Sequence, residues 1–417
     1  MFLSNLFTKT TRDISADEVS KNAQWLIRAG YVNKLTAGVY TYLPLGLRTL
    51  SKIMGIVREE INGIGGQEIL MPALQPKQLW ETTQRWDSFD ALFKVKSRWG
   101  AWEYGLGPTH EEVVIPLVKS FVQSYRDLPV AVYQIQTKFR DEARAKSGIL
   151  RGREFIMKDL YSFHATEENR AEYYAKTIVA YNNIYRRTGF RDILMTEASG
   201  GSFSKKFSHE FQAVCDAGED IVVYCDNCKW ARNVEISEVK AGQPCPNGDG
   251  TLKEVKTIEL GNIFDLGVKF SEAFDVNYRD NNGEVKPVII GCYGIGISRM
   301  MGTLVEQHAD DKGLVWPVHV APFLAHMVPL GKSEEMNAKA RDIYARLTKA
   351  GIETLYDDRE ASNGQKLADA DMLGMPVRLI VSEKTGDKIE WKERKGGEAM
   401  LLSFDEVMAK LTALKAS

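Results

Sequence analysis

VAVYQIQTKFRDEARAKSGILRGREFIMKDLYSFH, residues 130–164, is the stretch that decides the fold of this chain. Its first part is rich in β-branched and aromatic side chains, which is typical of a strand, and a charged turn follows at RDE. A strand-like pattern resumes at RGREF and continues to the end of the stretch. Residues 143–152, which lie between them, are basic and contain glycine. The stretch therefore predicts two strands joined by a basic loop.

A long helix and a short strand are predicted upstream of this pair. The apolar side chains of residues 45–61 recur every three or four positions, which indicates one face of a helix. Glycines at 63, 65 and 66 end that helix, and QEILMP at 67–72 indicates a short strand. Residues 17–29 have helical spacing as well.

Downstream of the pair, PVIIGCYGIGISRMMGTLVEQ at 287–307 predicts a strand, a glycine-rich turn and then a helix. A helix is expected over residues 165–188, and further strands over 221–224 and 256–264. After Pro317 the pattern changes to strands that alternate with helices, which we expect at 334–349, 363–373 and 404–414. This alternation predicts a small, mostly parallel sheet with helices on it, and a domain boundary near residues 315–322.

The bulk composition excludes several classes of protein. A chain of 417 residues is too long for one hydrophobic core, and 44% hydrophobic with 26% charged residues is ordinary for a globular protein. No apolar run approaches the roughly 20 residues that span a bilayer. The N-terminal patch meets Asp13, Asp17 and Glu18 too early for a signal or transit peptide, so we expect a cytoplasmic protein. The net charge is −2, yet 54 Lys and Arg residues leave room for a basic face that binds nucleic acid.

Three segments, taken in order, resemble the signature motifs of the class II aminoacyl-tRNA synthetases. The helix and strand that end at Pro72 resemble motif 1, a dimer element. FRDE at 139–142 with RGREF at 151–155 resembles motif 2, and GIGISR at 294–299 resembles motif 3. Each motif alone is a weak signal, whereas the three in order are a strong one.

The finer resemblance is to the bacterial-type prolyl-tRNA synthetase family, and it covers nearly the whole chain. It is carried by these segments: LGPTHEE at 106–112, YQIQTKFRDE at 133–142, REFIMKDLYSFH at 153–164 and YDDR…GQKLADADMLGMPVRLIV at 356–381. The resemblance implies an α/β protein with an α+β catalytic domain at residues 1–315, built on the antiparallel class II sheet flanked by helices. It also implies an α/β anticodon-binding domain with a mostly parallel sheet at residues 318–417.

The same resemblance implies the reaction and its partners. ATP would activate proline to prolyl-adenylate and pyrophosphate, with Mg²⁺ on the nucleotide, and the prolyl group would pass to the 3′ end of tRNA(Pro). A homodimer through motif 1 is expected. The short insertion at about residues 215–255 is too small for an editing domain, so we expect a separate trans-acting deacylase or a tolerated error. Alanine differs from proline by only a few methylenes, each worth about 1 kcal/mol, so alanine should be misactivated.

Two arginines and a phenylalanine are the expected core of the nucleotide site. Activation brings a carboxylate against the α-phosphate of ATP, which requires cations on rigid elements. Arg140, at the end of a strand, is expected to bridge the two anions with its planar fork. Arg299 follows Gly294 and Gly296 at the start of a helix, a place suited to phosphate and to stacking on a base. Phe155 is the expected opposite face of the adenine.

The resemblance assigns further nucleotide contacts. It places Glu142 on the adenine amine, Arg151 on the γ-phosphate and Glu259 on the magnesium ion. Asn262 belongs to the same set, but this chain has Asn262 where His is usual in the family and Asp265 where Gln is usual. That departure puts the contacts of this strand in doubt.

A second set of residues is expected to hold proline, together with Arg140. Glu111, with Thr109 beside it, would bind the cationic imino nitrogen. The pyrrolidine ring would meet apolar walls at Met157 and Phe264, with His209 near it.

Ordinary structural roles compete with these assignments. Arg140 could instead be a surface arginine that pairs with Asp141 or Glu142. Glu111 and Glu112 would also cap a helix that begins near Val113. Met157, Phe264 and Phe155 are typical core residues, and Glu259 would equally be a solvent-facing strand residue.

The five cysteines fit reduced thiols rather than a disulfide framework. Cys225-Asp-Asn-Cys228 and the segment that begins at Cys245 resemble a zinc ribbon, but the fourth sulfur is missing and no histidine lies nearby. We therefore predict a degenerate remnant without zinc. Cys292 is expected in the core, since no base is adjacent.

Two other functions compete with this one. A threonyl-type enzyme should show a zinc-binding set of Cys and His in its core, and none is evident. A synthetase-like accessory or binding protein without catalysis would be expected to lose an arginine of motif 2 or motif 3, whereas Arg140, Arg151 and Arg299 all remain.

In the C-terminal domain Lys366 and Arg378 are candidate anticodon contacts, although a solvated basic face explains them equally well.

Overall fold

The computed structural model describes residues 1–14, 18–143, 145, 147–200, 208–331 and 333–416. Its contacts divide the chain into two compact units. Unit 1 comprises Met1–Thr36, Tyr40–Ile53 and Leu304–Ser417, and unit 2 comprises Ala37–Val39 and Met54–Thr303. The predicted domains, residues 1–315 and 318–417, stay a prediction.

Ten α-helices lie within the described residues. They are α1 Lys21–Arg28, α2 Pro44–Gly63, α3 Lys77–Thr82, α4 Glu111–Lys119, α5 Glu167–Thr188, α6 Lys269–Ala273, α7 Ile297–His308, α8 Glu334–Lys349, α9 Asn363–Leu373 and α10 Phe404–Ala416. The predicted long helix over 45–61 is confirmed by α2, and the helices predicted at 165–188, 334–349, 363–373 and 404–414 are confirmed too. The helix predicted over 17–29 is shorter, and Asp17 lies outside the described residues.

The same residues contain 21 strands. They are β1 Val32–Thr36, β2 Val39–Tyr42, β3 Gln67–Glu68, β4 Leu74–Pro76, β5 Phe93–Lys96, β6 Glu103–Leu106, β7 Val130–Phe139, β8 Glu154–His164, β9 Ile193–Ala198, β10 Ser208–Val214, β11 Asp220–Tyr224, β12 Ala231–Asn233, β13 Lys253–Gly267, β14 Asn277–Arg279, β15 Val285–Pro287, β16 Ile289–Gly296, β17 Ala325–Leu330, β18 Thr354–Tyr356, β19 Val377–Ser382, β20 Ile389–Glu393 and β21 Met400–Leu402. The strand predicted at 67–72 is wrong beyond Glu68.

Unit 2 is built on a nine-stranded sheet in the order β10-β9-β12-β11-β13-β16-β8-β7-β3. The two strands predicted from residues 130–164 are confirmed as the antiparallel pair β7 and β8, which run in register from Val130 opposite Phe163 to Phe139 opposite Glu154. β16 and β13 continue the antiparallel pairing. The strands β13, β16, β8 and β7 therefore form a continuous antiparallel surface, as the class II resemblance implies.

Helix α5 packs on this sheet and is set at both ends by its sequence. The hydroxyl of Thr166 accepts a hydrogen bond from the Asn169 N–H at 3.2 Å, which caps the N-terminus. Gly189 ends the helix at φ 89°, a left-handed conformation that glycine adopts without strain. Tyr181 and Tyr185 point inward from the helix and are fully buried, so the sheet has a packed face beneath the site.

A bulge interrupts β13 in the middle of its length. Opposite β10, Phe211 pairs with Gly261 while the next residue, Gln212, pairs with Glu259, so Leu260 is the extra residue. A bulge bends the strand and shifts which side chains share a face. As a result Glu259 on one side and Asn262 and Phe264 on the other reach the same cavity.

Unit 1 contains a five-stranded sheet in the order β18-β17-β19-β20-β21. β17 is parallel to both β18 and β19, which confirms the predicted parallel core. β20 and β21 extend the sheet antiparallel and were not predicted. The N-terminal Phe2 joins this unit by a bridge to Tyr356, with the two ring centroids 5.4 Å apart.

None of the helices in the described part of the chain combines the length and the apolar character that crossing a membrane requires.

Candidate active site

A cavity of about 200 Å³ opens on the antiparallel sheet of unit 2. It lies over β8, β13 and β16, and the loop after β7 closes one side. The predicted site residues on its walls are Thr109, Glu111, Arg140, Glu142, Arg151, Phe155, Met157, Glu259, Asn262, Phe264 and Arg299. The sequence therefore predicted most of the polar groups that meet in this cavity.

One face of β8 forms much of the floor. Phe155, Met157, Asp159 and Tyr161 all line the cavity, since alternate residues of a strand point to the same side. Asp159 and Tyr161 were missed, although their two-residue spacing from Met157 was the signal that would have found them. The hydroxyl of Tyr161 donates to Asp159 at 3.1 Å, so the floor is polar at its inner end.

Arg140 follows the last residue of β7 and points into the cavity. Its backbone N–H donates to the Arg153 carbonyl at 2.8 Å, which fixes the start of the loop. The guanidinium lies 5.2 Å from the centre of the Phe155 ring. Its Nε has no hydrogen-bond partner among the described residues. Its Nη2 donates to the Pro108 carbonyl at 3.4 Å. Burial, followed by the positive charge of Arg299, lowers the pKa of Arg140, although the charges of Glu259, Glu142 and Glu111 oppose the shift. A buried guanidinium with an unpaired Nε suits an anionic ligand.

Arg299 lies in the first turn of α7, where the sequence predicted it. Its Nη1 donates to the Glu259 carboxylate at 3.3 Å and to the Glu259 carbonyl at 2.6 Å. Its Nε donates to the Leu150 carbonyl at 2.9 Å. These bonds hold a second guanidinium against the cavity wall. The alternative of a solvent-facing Glu259 is wrong in part, because the carboxylate is one-third exposed and pairs with Arg299.

Arg151 and Glu142 bind each other at the mouth of the cavity. Arg151 Nε donates to Glu142 at 3.0 Å, and Nη1 donates at 3.0 Å to Glu219, a residue the sequence analysis did not single out. The alternative in which Glu142 pairs with Arg140 is not what the structure has, because the partner of Glu142 is Arg151. Arg151 is half-exposed, so this ion pair is screened by water and free to exchange partners.

Glu111 is completely buried, yet its carboxylate forms part of the cavity wall. It accepts from the Thr109 hydroxyl at 2.6 Å and from the Cys292 thiol at 3.3 Å. Arg85 Nη1 approaches the same carboxylate at 3.5 Å. Glu111 is also the first residue of α4, so its position in the helix and its place in the cavity are compatible. Cys292 is buried, as predicted.

A buried polar network supports this region from below. Lys138 Nζ lies 2.8 Å from an Asp159 oxygen and 2.6 Å from His110 Nδ1. Burial lowers the pKa of His110 to about 4, with a further contribution from the charge of Lys138. Burial also lowers the pKa of Lys158 to about 7, and its ammonium donates to the Tyr293 carbonyl at 2.9 Å. The network fixes the floor of the cavity, because every member is packed and bonded.

Glu112 points the other way, toward Arg85 at 2.8 Å and Thr83 at 2.9 Å. Burial raises the pKa of Glu112 to about 7, although the charge of Arg85 opposes the rise. Between about pH 4.5 and 7 the folded protein therefore holds a proton that the unfolded chain releases. The stability from this proton is complete at low pH and is lost as the pH rises through 7.

We predict that a Glu112→Gln protein keeps the stability that the wild type loses as the pH rises, because glutamine does not ionise. Relative to the wild type, its melting temperature should rise as the pH is raised from about 4.5 to 7 and stay level above that. Thermal unfolding of both proteins across this range measures the difference. A difference that does not change with pH would show that Glu112 stays ionised in the fold.

His209 is not on the wall that the described residues form. Its ring nitrogen Nδ1 forms a hydrogen bond with the Tyr174 hydroxyl at 2.6 Å, and burial lowers the pKa of His209.

Asn262 does reach the cavity, where its amide donates to Glu210 at 3.1 Å. Asp265 forms an ion pair with Arg170 at 3.4 Å. The two departures from the family pattern, Asn262 and Asp265, thus have partners of their own.

In unit 1, Lys366 and Arg378 do not lie on a freely solvated face. Lys366 is buried, and its ammonium donates to the carbonyls of Pro329 and Asp357 at 3.3 Å each. Arg378 donates to Asp371 at 2.9 Å. The interpretation of Lys366 as a solvated surface cation is wrong, because α9 turns this side chain inward and buries it. The sequence did not reveal which face of α9 is buried at this position.

Two family models match the chain. The tRNA synthetase class II core domain (G, H, P, S and T) matches residues 93–308, and the anticodon binding domain matches residues 325–414. The first match spans β5 to α7 and therefore contains every residue of the cavity wall named above. The second spans the five-stranded sheet of unit 1.

Relatives of known function are similar over the whole chain. The proline--tRNA ligase of Shouchella clausii (strain KSM-K16) is 34% identical, over 97% of this chain and 98% of that protein. That of Moorella thermoacetica (strain ATCC 39073 / JCM 9320) is 32% identical, over 100% of this chain and 99% of that protein. The first alignment runs over 558 positions against 417 residues here, so at least 141 positions (558 less 417) have no counterpart in this chain.

Among solved structures, the fold resembles the prolyl-tRNA synthetase from Cryptosporidium parvum, crystallised in complex with halofuginone and AMPPNP. The TM-score is 0.78 at 19% identity, over 94% of this chain and 74% of that chain. At this level of identity the likeness concerns the fold.

Proposed function

The chain belongs to the proline--tRNA ligase family of class II aminoacyl-tRNA synthetases, and we propose that it activates proline with ATP and transfers the prolyl group to tRNA(Pro). The observation that carries the proposal is the convergence of Arg140, Arg299 and Glu111 on one cavity. Two fixed cations suit the α-phosphate and a carboxylate, while a buried carboxylate suits a cationic amine.

Within this proposal, Arg140 bridges the carboxylate of proline and the α-phosphate, so that nucleophile and electrophile are held together. Arg299 and Phe155 enclose the adenine, and Arg151 leaves its pair with Glu142 to bind the γ-phosphate. Glu142 is then free to accept from the adenine amine. This exchange is favoured because the Arg151–Glu142 pair is half-exposed and weak.

Proline lies deeper, between Met157 and Phe264, with its imino nitrogen on Glu111 and Thr109. The size of the pocket for the pyrrolidine ring determines selectivity for proline over smaller amino acids, and alanine is rejected only in part. His209 is also proposed near the ring, and it does not line the cavity formed by the described residues.

Magnesium is proposed at Glu259, where carboxylates gather. Burial, followed by the charge of Glu259, raises the pKa of Glu210 to about 8 and also raises the pKa of Asp220. Oxygen ligands of this kind are what Mg²⁺ prefers, so the residues fit the ion. When bound, it would neutralise charge on the triphosphate.

The remaining partners are also proposals. Residues 318–417 would bind the anticodon, and motif 1, α2 with β3, would form a homodimer interface. Residues 1–315 would form the catalytic domain. We place the enzyme in the cytoplasm, and a separate deacylase would clear alanyl-tRNA, since a segment of the relatives is missing here.

A proline-dependent exchange of pyrophosphate into ATP tests the proposed function. We expect exchange with proline, weaker exchange with alanine, and none with threonine. Exchange with threonine alone would indicate a threonyl-type enzyme, and no exchange with any amino acid would indicate an accessory protein without catalysis.

A further inference from the structure

Three cysteines come together at the far end of β11. Cys225 follows β11 directly, Cys228 lies in the next turn, and Cys245 returns from the segment that leads into β13. Their sulfur atoms all lie within 4.8 Å of one another, and those of Cys228 and Cys245 are 3.4 Å apart. All three are free thiols. Sulfur atoms at this spacing can share one metal ion, because each Zn–S bond is about 2.3 Å long.

Backbone N–H groups point at two of the three sulfur atoms. The Asn247 N–H points at Cys245 Sγ at 3.4 Å, and the N–H groups of Asn227 and Cys228 point at Cys225. The chain also turns tightly at the first pair of cysteines, since the Lys229 N–H donates to the Cys225 carbonyl at 3.0 Å. Backbone N–H groups aimed at sulfur are the surroundings that stabilise a metal-bound thiolate.

The surrounding segment has little else to hold it together. Its buried apolar cluster consists of Val223, Cys225, Cys245 and Leu252, with Trp230 and Val239 packed against it. A core of this size does not stabilise a structure alone, and small units of this kind generally rely on a metal or on disulfides.

The missing fourth ligand has a definite place. Cys245-Pro-Asn-Gly248 repeats the spacing of Cys225-Asp-Asn-Cys228, with glycine where the fourth sulfur would stand. A Cβ built on Gly248 would lie 3.9 Å from Cys228 Sγ and 3.6 Å from Cys228 Cβ, with nothing closer. Gly248 is exposed, so this side of the cluster is open to water.

We propose that Cys225, Cys228 and Cys245 bind one zinc ion, and that water occupies the fourth position beside Gly248. This replaces the expectation of a metal-free remnant, which rested on the missing sulfur alone. The bound ion would tie the end of β11 to the start of β13, where Tyr224 pairs with Lys253. Because β13 continues to Glu259, the ion would also position the strand that carries a wall of the cavity.

The test uses the full-length protein, purified under reducing conditions. We expect about one zinc ion per chain by elemental analysis. After replacement by Co²⁺, the spectrum should show thiolate-to-cobalt charge transfer. Cys228→Ser, which changes an exposed side chain, should lose the metal and the charge-transfer band. Cys215→Ser should keep both, because Cys215 is outside the cluster.

Gly248→Cys supplies a gain of function that does not depend on a damaged fold. It should add a fourth thiolate, intensify the charge-transfer band and shift the loss of metal to higher chelator concentration. The proposal is overturned if the reduced wild type takes up neither Zn²⁺ nor Co²⁺, or if Cys228→Ser binds them as well as the wild type. It is also overturned if Cys228 and Cys245 form a disulfide and the reduced protein binds no metal.

Discussion

An Arg140→Ala protein is expected to lose proline-dependent pyrophosphate exchange by about 10²–10³-fold, the usual cost of removing one fixed donor to transition-state charge. Arg140 fits that role because its Nε lacks a partner among the described residues and no carboxylate there forms an ion pair with it. The loss should fall on the rate of adenylate formation at saturating substrates. Single-turnover formation of prolyl-adenylate measures that rate directly.

The fold should not suffer from the same change. Burial and the charge of Arg299 both disfavour the Arg140 cation in the free protein, so removing it should leave the melting temperature equal or higher. Arg140→Lys is the matched control: it keeps the charge but not the two-pronged fork, so activity should return only in part. An Arg140→Ala protein with full exchange would remove Arg140 from the reaction.

Local pattern predicted much of this architecture, and the limits of that prediction have physical causes. A run of β-branched and aromatic residues predicted β7, a resumed strand-like pattern predicted β8, and helical spacing predicted α2. The bulge at Leu260 was not predictable, because it depends on how two strands pair across the sheet. Lys366 was misjudged for a similar reason: a long side chain can turn inward when carbonyl groups from other parts of the chain accept hydrogen bonds from its ammonium group.

In the site, too, local pattern predicted some features and long-range packing determined others. Arg140 and Arg299 were predicted because strand and helix ends put cations in fixed places. The Leu150 carbonyl that holds Arg299 comes from a part of the chain 149 residues away, which the sequence pattern could not reveal. Arg140 meets Phe155 across the β7–β8 hairpin. The three-cysteine cluster was predicted in part. Spacing revealed the cysteines, but only the fold shows that the sulfur atoms meet.

Glu111→Gln should raise the KM for proline strongly while ATP binding stays unchanged. Loss of one member of a buried charge pair costs about 2–5 kcal/mol, which corresponds to roughly 30- to 5,000-fold in affinity. Glu111 is the acid expected to meet the imino cation, because its carboxylate lies on the cavity wall beside Thr109. The KM for proline in pyrophosphate exchange and calorimetric binding of ATP measure the two effects separately.

Glu112→Gln is the matched control, because Glu112 is the next residue, equally buried and paired with the same Arg85. Its carboxylate faces Thr83 rather than the cavity, so its replacement should alter the pH dependence of stability and leave the KM for proline within a few-fold of the wild type. Equal increases in KM from both variants would mean that the pair acts through the packing of α4. Only the asymmetry between two adjacent, buried glutamates therefore distinguishes a carboxylate that binds proline from one that holds the helix in place.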